Sequence, residues 1–187
     1  MTPDPKKVAI LISGRGSNMR RLVDHADNYE VVLVASNRPD APGLAWAEAQ
    51  GIATWSEDSR GVDRAAYDEM LGDALEASGA GTIALAGFMR ILGPDFIRRF
   101  EGRMLNIHPS LLPKYRGLDT HARALEAGDR VHGCSVHVVT EELDAGEVVA
   151  QAEVPIREDD TVSTLEARVL AEEHELYPAA LARFVER

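Results

Sequence analysis

Two side chains two positions apart, Asn106 and His108 in Arg103-Met-Leu-Asn106-Ile-His108-Pro109, carry the clearest chemical signal in this sequence. In an extended strand alternate residues share a face, so the amide and the imidazole point the same way. At the carboxyl end of a parallel strand, where α/β sheets place their ligands, both could act on one atom. An amide is a fixed donor and an imidazole titrates near neutrality, a pairing suited to a developing oxyanion and to proton movement. Neither is a strong nucleophile, and no Ser, Cys or Lys stands in a hydrolase-type context, so direct transfer through a tetrahedral intermediate is favoured over a covalent acyl-enzyme. A lone histidine before a proline reads more simply as a core residue; the partnership with Asn106 tips the reading toward chemistry. Asp144, in Glu141-Glu-Leu-Asp-Ala-Gly146, completes an amide, imidazole and carboxylate set if its loop reaches the same cleft, because a nearby carboxylate favours a charged imidazole. Taken alone, Asp144 is an ordinary turn residue. His137 could face the cleft from a neighbouring strand, His121 and His132 are weaker candidates, and His25 and His174 read as surface or packing residues.

A second locus lies near the start of the chain. The apolar run Val8–Ser13 leads into Gly14-Arg-Gly16-Ser17-Asn18 and then into helical periodicity. Glycines let backbone approach an anion closely, and the free N–H groups and positive dipole end of the helix would receive a phosphate. Met19 occupies the place of the third glycine in a dinucleotide fingerprint, the second strand ends in Ser36-Asn37-Arg38 without an acid for a ribose diol, and no Walker lysine follows. A strand-to-helix turn that needs glycine only for its dihedrals explains the same residues equally well.

The elements that must position these groups alternate. β-Branched apolar runs at Val8–Ser13, Val31–Ser36, Ile52–Trp55, Thr82–Ala86 and Arg103–His108 are separated by helical stretches at Asn18–Asp27, Pro42–Gln50, Val62–Ser78 and Pro94–Phe100. That is the pattern of βα units in a parallel sheet. Pro109-Ser-Leu-Leu-Pro113 must be a fixed loop, since each proline removes a donor and restricts its predecessor. A helix over Thr120–Ala127 follows, then strands Cys134–Thr140 and Val148–Val154, whose short connection makes them antiparallel neighbours. Thr161–Val185 closes the chain as a long helix, with Thr161 as cap and Pro178 expected to kink or interrupt it. The fold class is therefore α/β, a single domain over residues 1–187 with helices on both faces of a mostly parallel sheet of about seven strands that ends in an antiparallel hairpin.

Lys plus Arg total 20 against 31 Asp plus Glu, a net charge of −11 that repels nucleic acid except at a local basic patch. Aromatic residues at 5% leave little for base stacking. The single Cys134 cannot form an internal disulfide and fits a reducing compartment, with no zinc-type Cys/His spacing around it. The first apolar run meets Gly14-Arg15 rather than a cleavage site, and the stretch Thr82–Met89 falls far below the ~20 residues of a membrane span. A cytoplasmic protein with small-molecule partners, no nucleic acid and no membrane is expected.

With these residues assembled, the chain resembles the glycinamide ribonucleotide formyltransferases. The resemblance runs from Val8 to Phe184 through Leu11-Ile-Ser-Gly-Arg-Gly-Ser-Asn18, Leu85-Ala-Gly-Phe-Met-Arg-Ile-Leu92, Asn106-Ile-His-Pro-Ser-Leu-Leu-Pro-Lys-Tyr115, His132-Gly-Cys-Ser-Val-His137 and Glu142-Leu-Asp144. It implies a Rossmann-like formyltransferase fold, with residues 1–100 on the ribonucleotide-phosphate side and 101–187 on the catalytic and folate side. It implies 10-formyltetrahydrofolate as co-substrate, glycinamide ribonucleotide as acceptor, no metal, and a monomer or weak homodimer. Asn106, His108 and Asp144 match its catalytic positions. Gly16, Ser17 and Asn18 match the phosphate site, and Glu173 matches a residue that binds the ribose hydroxyls. Leu85, Met89, Arg90, Ile91, Leu92 and Ile97 match the slot for the pteridine ring, and Arg64 the site of the folate glutamate carboxylate. Asp119 stands where relatives generally carry His, and Ala145 and Glu147 stand where Gly and Pro are usual. Methionyl-tRNA formyltransferase would require a further domain and positive surface; a formyltetrahydrofolate deformylase, which shares the trio and transfers to water, is the nearer alternative. A non-catalytic folate binder would have no use for the Asn106 and His108 pair.

Overall fold

The computed structural model describes residues 3–187; residues 1–2 of the expected 1–187 domain lie outside the described residues. A seven-stranded sheet runs in the order β3-β2-β1-β4-β5-β6-β7. Strands β1 (Lys7–Ile12), β2 (Glu30–Ser36), β3 (Thr54–Ser56), β4 (Thr82–Leu85) and β5 (Met104–His108) pair in parallel. Strand β6 (Val131–Val138) is antiparallel to β5, and β7 (Val148–Pro155) is antiparallel to β6. Because β1 is flanked by β2 on one side and β4 on the other, the side on which successive parallel strands are added switches between β1 and β4. A crevice opens at such a switch point.

Alternation along β1 explains why both faces carry helices. Val8, Ile10 and Ile12 enter one core with Met19 and Leu22 of α1 (Ser17–Asp24), Leu44 of α2 (Pro42–Ala49), and Leu165, Val169, Tyr177 and Leu181 of α6 (Val162–Phe184). Ala9 and Leu11 face a second core with Tyr67, Leu71 and Leu75 of α3 (Arg64–Ala77) and Phe96 and Phe100 around α4 (Pro94–Arg99). A strand covered on both sides reads as an unbroken apolar run, which is what the sequence displays.

Several boundaries differ from the sequence expectation for local physical reasons. Ile52 belongs to the turn that ends α2, its N–H bonded to Ala47 O at 3.1 Å, so β3 starts at Thr54. Helix α3 starts at Arg64 because Asp63 caps it, its carboxylate accepting Ala66 N–H at 3.2 Å. Strand β6 begins at Val131 rather than Cys134 because it pairs with β7 out to Pro155, and it stops at Val138 after a register shift between Val136 and His137. Pro178 does not break α6. The adjoining Tyr177 is fully buried, its hydroxyl donating to Leu85 O at 3.0 Å and Leu105 O at 3.2 Å, so packing outweighs the lost helix bond. Among the described residues no helix is long and apolar enough to cross a membrane.

Candidate active site

Strand β5 brings Asn106 and His108 to the carboxyl end of the sheet, and the antiparallel register sets His137 of β6 opposite Asn106. Asp144 reaches them from the β6–β7 connection. Its carboxylate lies 3.4 Å from His108 Nδ1 through one oxygen and 3.5 Å from His137 Nε2 through the other. Asn106 Nδ2 is 3.2 Å from the same His137 Nε2. The amide, imidazole and acid expected from sequence therefore meet, with His137 as a fourth member between Asn106 and Asp144. His108, His137 and Asp144 are buried, whereas Asn106 is half-buried.

Backbone holds the two carboxylate-facing groups in place. Asp144 adopts a left-handed conformation (φ 50°), which Asp tolerates better than most residues, and accepts the Gly117 N–H at 3.0 Å. Burial pushes its carboxyl up, but hydrogen bonding from His137 and Gly117 and the charge of His108 outweigh that, so it lies below the usual carboxylate range. His108 Nε2 is 2.9 Å from Tyr115 O, which can only accept, so that nitrogen carries a hydrogen. Both ring nitrogens face oxygens, an arrangement that an imidazolium satisfies in full. His137 Nε2 cannot serve both neighbours in one tautomer: protonated it donates to Asp144, and unprotonated it accepts from Asn106. His137 Nδ1 lies 3.1 Å from Val138 O, which can only accept, so Nδ1 carries a hydrogen in either case; when Nε2 accepts one Asn106 N–H, the second N–H of that amide remains for a ligand oxygen.

The glycine turn builds a second feature. Gly14, Gly16, Ser17, Asn18, Ala86, Gly87 and Leu170 are among the residues around a cleft of about 520 Å³. Gly16 is left-handed (φ 70°) at the start of α1, and no side chain caps the helix, so its first N–H groups remain available to an anion. Buried Asn18 donates to Glu173 at 2.8 Å, leaving its own Oδ1 buried without a partner. Burial raises the Glu173 carboxyl to about 7, against the opposing hydrogen bond from Asn18 and with a further push from Glu166.

The segment expected to take a flat ring is braced from below. Met89 N–H donates to Ser13 Oγ at 2.7 Å and Gly93 N–H to Asp68 at 2.7 Å. Leu85, Leu92 and Ile97 are buried beside it. Met89 and Ile91 instead project into solvent, 71% and 69% exposed, because nothing packs over them. Arg90 turns inward, stacked 4.6 Å above Tyr67 and donating to Ser59 O at 3.2 Å, so only its backbone can face a ligand. Arg64 lines a separate cleft of about 410 Å³ with Asp68, Gly93 and Arg99.

The weaker histidine candidates sort themselves by environment. His121 and His132 contact each other at 3.1 Å outside the trio, and burial, then the charge of His121, pushes His132 down to about 4. They form a neutral packing pair. Asp119 is exposed and left-handed (φ 57°) at the start of α5 (Thr120–Glu126), and its side chain caps nothing. Reasoning from sequence underrated His137, whose place opposite Asn106 depends on strand register. It missed Asp68 altogether, since an acid in the first turns of a helix looks solvated.

Residues 6–181 match the family described as formyl transferase. The chain belongs to the formyl transferase family. It is 45% identical over 184 residues to phosphoribosylglycinamide formyltransferase of Escherichia coli (strain K12), covering 96% of this chain and 87% of that one. Glycinamide ribonucleotide transformylase 1 from Symbiobacterium toebii, 41% identical, superposes with a TM-score of 0.92 over 96% of this chain and 87% of its own. Phosphoribosylglycinamide formyltransferase from Brucella melitensis, 48% identical, gives 0.90 over 96% and 95%. The likeness spans β1 to α6, so this formyltransferase shares with them the elements that carry both clefts.

Proposed function

We propose that this formyltransferase transfers the formyl group of 10-formyltetrahydrofolate to the amine of glycinamide ribonucleotide, a step of purine biosynthesis, with Asn106, His108 and Asp144 at the reacting carbonyl. The observation that carries the assignment of roles is the Asp144 carboxylate bridging two imidazoles, 3.4 Å from His108 and 3.5 Å from His137, beside the Asn106 amide. The substrate amine attacks the formyl carbon, and negative charge develops on the formyl oxygen. The second Asn106 N–H, open while the first is held at His137, and a His108 N–H released from Tyr115 O stabilise that oxygen. Asp144 holds the His108 imidazolium and, through water, passes the proton lost by the amine to departing N10.

Both halves of the chain contribute to each ligand. Gly16, Ser17 and Asn18 hold the phosphate on the side of residues 1–100, while the trio lies within 101–187. Glu173 of α6 returns to meet Asn18, and near neutral pH its carboxyl can donate as well as accept, which suits a ribose diol. The braced backbone of Met89–Gly93 offers polar groups to the edge of a pteridine, with Leu85, Leu92 and Ile97 buried beside it; Arg64, which lines a cleft with Gly93, takes the glutamate carboxylate in this reading.

Mixing the enzyme with glycinamide ribonucleotide and a chromogenic 10-formyl folate, each omitted in turn, tests the reading by absorbance. Release only when both are present is the expected result. Equal release without the ribonucleotide overturns it in favour of transfer to water.

A further inference from the structure

Two cations in the phosphate cleft go unused by the backbone cradle. Arg15, exposed in the glycine turn, and Arg20, half-buried on α1, both line the cleft of about 520 Å³ with Gly16 and Asn18. Neighbouring Arg21 is paired with Glu175 at 2.8 Å, but among the described residues neither Arg15 nor Arg20 meets a carboxylate. The Arg20 guanidinium lies 5.3 Å from the centroid of the Trp46 ring, and its Nε is buried without a partner. Stacking occupies the face of a guanidinium and leaves its edge donors open. Trp46 is fixed relative to the cradle because Gly43 N–H, at the start of the same helix, donates to Gly14 O at 3.1 Å.

What sets Arg15 and Arg20 apart is their place: both line the same cleft as the uncapped N–H groups that open α1, so the donors there gather without an acceptor. A second observation marks the same spot: the Arg20 Nε–H is a buried donor without an acceptor, whereas the unpartnered Oδ1 of Asn18 in the cleft wall accepts and suits a ligand hydroxyl rather than the phosphate. Backbone N–H groups recognise any acceptor oxygen, whereas full charges separate a phosphate monoester from an uncharged sugar. We propose that Arg15 and Arg20 are substrate-binding residues that select the 5-phosphate of the ribonucleotide, a specificity that rests on the cleft assignment given above.

Titration calorimetry with ribose 5-phosphate, on wild type, Arg15→Gln, Arg20→Gln and the double variant, tests this, with Arg60→Gln as a control for net charge away from the cleft. Each cleft arginine replaced by Gln should weaken binding roughly 10-fold, with a shallower salt dependence in the double variant. Arg60→Gln should bind like wild type, and Arg20→Lys should recover only part of the loss, because it restores charge without the stacked fork. Affinities within twofold of wild type in the double variant, or an equal loss in Arg60→Gln, overturn the proposal. The two readings fail separately. Arginine-dependent binding in an enzyme that forms no formylated ribonucleotide leaves this assignment standing and removes the function, and normal transfer with an unchanged KM for glycinamide ribonucleotide in the double variant does the reverse.

Discussion

The distances around Asp144 set the energetic stakes for single residues. Removing one donor from a developing oxyanion typically lowers the rate by roughly 10²–10³, because a preorganised hydrogen bond strengthens as charge accumulates. Asn106→Ala and His108→Ala are expected to lose that much kcat in steady-state assays, with much smaller changes in KM. Glu173 has the opposite character, a buried acid whose burial costs stability when it ionises. Its folded value of about 7 lies above the ordinary carboxylate value, so the folded state binds the proton more tightly than the unfolded chain does. The penalty is absent below the ordinary value, grows as pH rises toward 7 and is complete above it. Glu173→Gln, which can keep the bond from Asn18, should therefore raise Tm more at pH 8 than at pH 4.5, as thermal melts at the two pH values will measure.

At the scale of elements, two connections do the positioning. The loop that carries Asp144 is pinned at the surface by Arg98 on Glu141 (2.7 Å) and Arg116 on Glu142 (2.8 Å), but exposed pairs contribute little. Its path is fixed instead at Gly146, where a Cβ would collide with Val138 O. Gly146→Ala should displace Asp144, lowering kcat and costing about 1–3 kcal/mol of stability by overpacking, read from turnover and denaturant melts. Asp68 fixes the other connection by accepting Gly93 N–H. Asp68→Ala orphans that buried donor, for about 1–3 kcal/mol. The KM for the folate should rise several-fold with kcat less affected, while Asp68→Asn, which retains an acceptor, should recover most of the loss.

For the molecule as a whole, what could be read in the sequence was whatever local pattern dictates. The parallel strands follow from β-branched runs covered on both faces, and α3 from its period. Asn106 and His108 were readable as a pair because strand alternation alone aligns them. The meeting with Asp144 was foreseeable only as a condition, since it depends on β6 and β7 joining the sheet edge and on a left-handed residue at φ 50° that no periodicity announces. His137 stayed obscure because only the Asn106 to His137 register of the β5–β6 ladder brings the two side chains together. Pro178 misled because propensity weighs less than a Tyr177 anchored between two strands. The most direct test of the account is the single-turnover rate of formyl transfer by Asp144→Asn, measured by rapid quench beside a thermal melt. A fall of roughly 100-fold or more with the fold intact is the predicted result, and a rate close to wild type would contradict it.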